Sequence, residues 1–170
     1  MRSRTATTAL AVLALLTASA CATHPAPGAD DVIKAATRRL TDDCLTRRGL
    51  SPASDQQRVA DALFGTGRAE LSLRLRTGFV VRAHTDGCLA AAQRRLYGDQ
   101  HRWFHASVVV NNLKPEAART GRPLAEVRAA HRAELTEWRR LRARALTQAT
   151  ALLEGGDITR PSTTHPKGNQ

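Results

Sequence analysis

From Pro123 to Glu154 the residues Leu124, Val127, His131, Leu135, Trp138, Leu141, Ala145, Ala149 and Leu152 recur three or four positions apart. That spacing puts them on one stripe of a single long helix and turns the intervening positions to solvent. Pro123 at the first turn and Gly155-Gly156 beyond the last are the expected punctuation. A helix of this length is stable only if its stripe is covered, so the rest of the chain must supply partners. Ile33, Ala36, Leu40 and Cys44 repeat at helical spacing, with Asp30 or Asp31 as N-cap and Gly49 as terminator, which predicts a first helix over 31–48. Ser54 to Gln57 has the S-x-x-Q form of a capping box and opens a short second helix through Val59, Leu63 and Phe64. Asp86-Gly87 lead into a third helix through Cys88, Ala92 and Leu96, stopped at Gly98. Asp99 caps a fourth that carries Trp103, Phe104, Val108 and Leu113 before Pro115.

Residues 71–83 read differently. Leu71, Leu73 and Leu75 alternate with Ser72, Arg74 and Arg76, and Thr77-Gly78 precedes Phe79-Val80-Val81, the pattern of a short β-hairpin. The expected fold is therefore mainly α, one small helical domain over 30–155 with a long C-terminal helix and a hairpin laid on it. Residues 156–170 have no periodicity and read as a disordered tail. Apolar residues make up 42% of the chain but aromatics only 4%, so the core must be thin and built from Leu, Val and Ala.

The first 20 residues have the three parts of a secretory signal: Arg2 and Arg4, the apolar run Ala9 to Leu16, then small residues up to Ala20. The run is too short for a bilayer core, which needs roughly 20 helical residues. Ala18-Ser19-Ala20-Cys21 resembles the lipobox of bacterial lipoproteins, departing from it at Ala18, where those proteins usually have Leu. The resemblance implies that Cys21 carries diacylglycerol and begins the mature chain; ordinary cleavage after Ala-Ser-Ala, giving a secreted soluble protein, is the alternative. Residues 21–29, rich in Pro and Gly, then read as a tether. With Cys21 lipidated, two of the three cysteines remain, and in an oxidising compartment Cys44 and Cys88 are expected to join, two buried free thiols being the other possibility.

The formal charge is +11, and loss of Arg2 and Arg4 with the leader leaves 24 basic against 15 acidic residues. A basic protein can bind nucleic acid through counterion release. The excess is almost all Arg, with only Lys34, Lys114 and Lys167 as lysines, which together with abundant Ala is the signature of a GC-rich coding sequence. An exported chain meets anionic headgroups and acidic wall polymers rather than nucleic acid, so those are the expected partners. Arg128, Arg132, Arg139 and Arg142 are the candidate contacts, Arg being suited to bidentate binding of phosphate and carboxylate. Their ordinary role is a solvated face paired with Glu126, Glu134 and Glu137.

His101 and His105 are four apart, so on a helix their imidazoles share one face and could hold a metal ion, though a full site needs three or four ligands. No G-x-S-x-G elbow, phosphate loop or spaced carboxylate pair is present, so an enzyme is the least favoured reading and no cofactor is expected.

Cys44 with Arg48-Gly49, Gly87-Cys88 followed by Ala92 and Leu96-Tyr97-Gly98, and Trp138 together resemble a group of small secreted or lipid-anchored proteins of actinobacteria without an assigned activity. The resemblance covers roughly residues 40–140 and departs at Leu141, where relatives carry a further cysteine. It implies an extracytoplasmic address and no mechanism. The expected role is a non-catalytic envelope binding or interaction protein whose protein partner is unknown, with a metal-binding lipoprotein and an envelope enzyme as alternatives.

Overall fold

A computed structural model describes residues 26–51 and 53–155; the leader, Cys21 and the tail from 156 lie outside the described residues. Seven helices and one hairpin follow in the order α1 (Ala29–Arg47), α2 (Gln56–Phe64), β1 (Leu71–Arg74), β2 (Val80–Ala83), α3 (Cys88–Tyr97), α4 (Gln100–Asn111), α5 (Leu113–Thr120), α6 (Leu124–Ala130) and α7 (Arg132–Gly155).

α1 starts where Asp30 and Asp31 complement the positive end of the helix, and Asp31 accepts the Gly28 N–H at 3.2 Å. Its buried positions Ile33 and Ala36 meet Leu141, Ala145 and Ala149 of α7 and Leu96 and Tyr97 of α3. Alanine at three of these positions lets the backbones approach closely, which is how so few aromatics suffice. Leu96 and Leu141 are almost wholly enclosed, each worth about 1.5–3 kcal/mol of burial. Tyr97 stacks on Trp103 of α4 with centroids 3.6 Å apart, so a third of the small aromatic complement packs at this core. α1 and α7 run in the same direction: Asp30 pairs with Arg142, and farther along Arg39 donates to the Leu152 carbonyl at 3.1 Å.

A second, smaller core gathers Val109, Leu113 and Val127 with Leu73, Leu124 and Leu135. The hairpin contributes Leu73 to it and buries Leu71, while the register sets Leu71 opposite Ala83 and Arg74 opposite Val80. Its turn is closed by Leu75 N–H to the Phe79 carbonyl at 2.8 Å and Gly78 N–H to the Leu75 carbonyl at 2.9 Å, with Gly78 at φ 88°.

Three expectations need correction. The second helix is capped by Asp55, which accepts the Arg58 N–H at 3.0 Å; Ser54 instead accepts the Ser51 N–H at 2.9 Å, so the S-x-x-Q pattern is not the working cap. Pro115 does not end a helix. It lies in the first turn of α5, where a missing N–H costs nothing. Finally, the helix expected to run unbroken from Pro123 is interrupted at His131, with φ −110° and ψ 33°, dividing it into α6 and α7. The physical reason is polar: His131 Nε2 lies 3.0 Å from Glu116 Oε2 of α5, both side chains under 10% exposed. A residue that reads as part of an apolar stripe is thus held by a buried partner on another helix.

Candidate functional site

The residues Cys44, Arg48, Gly87 and Cys88 converge on one junction. Cys44 of α1 and Cys88 of α3 form a disulfide with Cα atoms 5.7 Å apart. Arg48 donates to the Asp86 carbonyl at 2.9 Å and reaches the Ala62 carbonyl at 3.4 Å, joining the ends of α1 and α2 to the loop before α3. A Cβ at Gly87 would lie 2.5 Å from the Leu63 oxygen and the Phe64 carbonyl carbon, so only glycine lets α2 pass there. Asp86 accepts the Gly67 N–H at 3.0 Å and the Thr66 N–H at 3.4 Å, and the Gly67 bond is the main reason its carboxyl sits below the usual range. These are folding contacts. They explain the residue pattern without any ligand.

His101 and His105 project from successive turns of α4, started by Asp99 accepting the Arg102 N–H at 3.0 Å. Both imidazoles border a trough of about 560 Å³ between β1, α4 and α7, with Leu71, Leu73 and Phe104 inside it. Glu134 and Glu137 of α7 also line it but already have partners. Glu137 accepts from Arg102 at 2.9 Å and from Arg140 at 2.7 Å, and the Arg140 bonds chiefly hold its carboxyl below the usual range. Glu134 lies 3.7 Å from His131 Nδ1. Among the described residues no three His, Cys, Asp or Glu side chains cluster to hold a metal ion. The i, i+4 pair therefore stands as two exposed imidazoles beside a half-apolar trough.

The basic residues arrange differently. Val110 of α4, Leu113 of α5, Leu124 of α6, and Leu135 and Trp138 of α7 enclose a groove of about 590 Å³. Lys114, Arg128 and Arg139 line it as well, all three exposed, and no Asp or Glu is in its lining. Ion pairs among the described residues use Arg102, Arg122, Arg140, Arg142 and His131, and none of the three groove cations. On an uninterrupted helix Arg128, Arg132, Arg139 and Arg142 would share a face about 80° wide. Arg128 of α6 and Arg139 of α7, on either side of the break at His131, both line the groove, while Arg132 stands exposed outside the lining. Arg142 is engaged elsewhere: it pairs with Asp30 and its guanidinium lies 4.7 Å over the Trp138 ring. Lys114 was not singled out in the sequence, because α5 itself was not anticipated.

Comparison with protein-family models, with curated proteins and with solved structures finds no match.

Proposed function

We propose that the chain is an exported, non-catalytic envelope protein, held to a membrane through a lipid on Cys21, that contacts anionic envelope groups through the groove between α5, α6 and α7. One observation carries the binding half of this reading: three exposed cations, Lys114, Arg128 and Arg139, border one groove whose lining contains no acidic residue. Cations that lack carboxylate partners keep their full attraction for an incoming anion. The lipobox-like Ala18-Ser19-Ala20-Cys21, the single leftover cysteine and the resemblance to small secreted or lipid-anchored actinobacterial proteins support the address. Among the described residues no helix is long and apolar enough to cross a membrane.

The binding test is sedimentation of the mature chain from residue 22, free of lipid, with vesicles of phosphatidylglycerol and phosphatidylcholine. Binding should weaken steeply between low and high salt, and Lys114→Ala/Arg128→Ala/Arg139→Ala should remove most of it at low salt. A triple variant that sediments like wild type ends the reading. The address test is metabolic labelling with a clickable fatty acid, where Cys21→Ser should abolish the label.

A further inference from the structure

The geometry points to the α5–α6–α7 groove as a binding site for a single-chain anionic amphiphile, the head held by Lys114, Arg128 and Arg139 and the alkyl chain lying on Leu135 and Trp138. This inference rests on the anionic-contact reading and names the class of ligand within it. A site meant only for a charged polymer needs cations on a surface. Here the cations border a groove of about 590 Å³ whose remaining lining is Leu, Val and indole with a single amide, Asn111. That volume lies inside the roughly 300–1,000 Å³ typical of small-molecule sites, which are likewise apolar with a few placed polar groups.

Leu124 and Leu135, which pack on the smaller core, and Trp138, which lines the groove with them, are only half-buried, so apolar surface remains to be covered in the free protein. The three cations come from three helices, and among the described residues no carboxylate pairs with them. An anionic head with an apolar chain satisfies both at once. A cationic or neutral amphiphile would leave the cations unmatched, and a chainless anion would leave the apolar surface wet.

Position agrees with such a ligand. Arg142 lies over the Trp138 ring and also pairs with Asp30, so the groove borders the start of α1. Asp30 is nine steps along the chain from Cys21, a span of at most about 30 Å. A lipid on Cys21 would therefore keep the groove close to the surface from which such amphiphiles come.

The test uses the mature chain from residue 22 carrying Trp103→Phe, so that emission comes from Trp138 alone, with calorimetry on the wild-type mature chain as a check that the replacement has not disturbed the fold. Octyl and decyl phosphate are titrated below their micelle concentrations, beside inorganic phosphate and decyltrimethylammonium. Both alkyl phosphates should shift Trp138 emission saturably, and the two extra methylenes should tighten binding about fifteenfold, since each buried methylene is worth roughly a factor of four. Lys114→Ala/Arg128→Ala/Arg139→Ala should weaken decyl phosphate at least tenfold. Equal affinity for octyl and decyl phosphate, or decyltrimethylammonium binding as tightly as decyl phosphate, overturns the inference. If salt-dependent vesicle binding persists alongside either result, only the amphiphile assignment of this groove fails; if the triple variant still binds vesicles like wild type, the anionic-contact reading fails first.

Discussion

Reducing the Cys44–Cys88 bond should be the most damaging mild treatment of this domain. The bond closes a loop of 44 residues, and the chain-entropy relation assigns about 4 kcal/mol to a closure of that length at 25 °C. With about 130 described residues, an unfolding entropy near 2 cal/mol/K per residue turns this into a fall of about 15 °C in Tm. The effect is large beside a core of alanines and a few leucines. Urea denaturation followed by helical circular dichroism, with and without a phosphine reductant, gives both midpoint and slope. The midpoint should fall and the slope should rise, because an unlinked unfolded chain exposes more surface. Cys44→Ala/Cys88→Ala should reproduce the reduced protein to within about 1 kcal/mol, the margin expected for a small buried replacement. A midpoint unchanged on reduction, with thiol titration confirming that the bond was broken, would refute the argument that chain entropy is a main support of this fold.

Other outcomes follow from contacts already described. Gly87→Ala should cost about 1–3 kcal/mol, because its methyl would meet the Leu63–Phe64 backbone, and thermal melts would show it; a neutral result would mean that α2 can move away freely. His131→Ala leaves the buried Glu116 carboxylate without its partner and should lower stability by about 1–3 kcal/mol, with Glu116→Gln/His131→Ala recovering part of the loss. Asp86 and Glu137 hold their carboxyls below the usual 3.8 and 4.5, through the Gly67 N–H and through Arg140 respectively. Each therefore favours the fold fully at pH values above its unfolded pKa, and the gain disappears as pH falls through the lower folded value. Asp86→Asn/Glu137→Gln should flatten the urea midpoint measured from pH 6 down to pH 3. Zinc titrated onto the folded domain should bind His101 and His105 weakly and without raising Tm, since two imidazoles leave half of a tetrahedral shell to water; a shift of several degrees that His105→Ala abolishes would show a completed site.

Much of the architecture could be read from the chain because caps and periodicity agreed. Asp99 starts α4, Gly98 ends α3, and the alternation of Leu71 and Leu73 marks a strand, all as local chemistry requires. The failures share one cause. Ser54 competed with Asp55 for the same cap, Pro115 fits a first turn as well as a terminus, and His131 fits an apolar stripe by spacing alone. Each case was decided by a partner distant in sequence or by a neighbour one residue away, which periodicity does not weigh. The groove suffered most. Arg128 and Arg139 were visible as basic residues of one helix, yet they belong to two helices that part at His131, and Lys114 joins them only because α5 exists.

The shared direction of α1 and α7 fixes where the two strands of polypeptide leave the domain. Level with Asp30, α7 has reached Arg142, and thirteen further residues at 1.5 Å each carry Gly155 about 20 Å along the bundle axis. Entry and exit thus lie toward opposite poles. An epitope or fluorescent protein joined after Gly155 would point away from whatever grips the first residues of α1, which makes the carboxyl end the safer place for a reporter when the amino end is tethered.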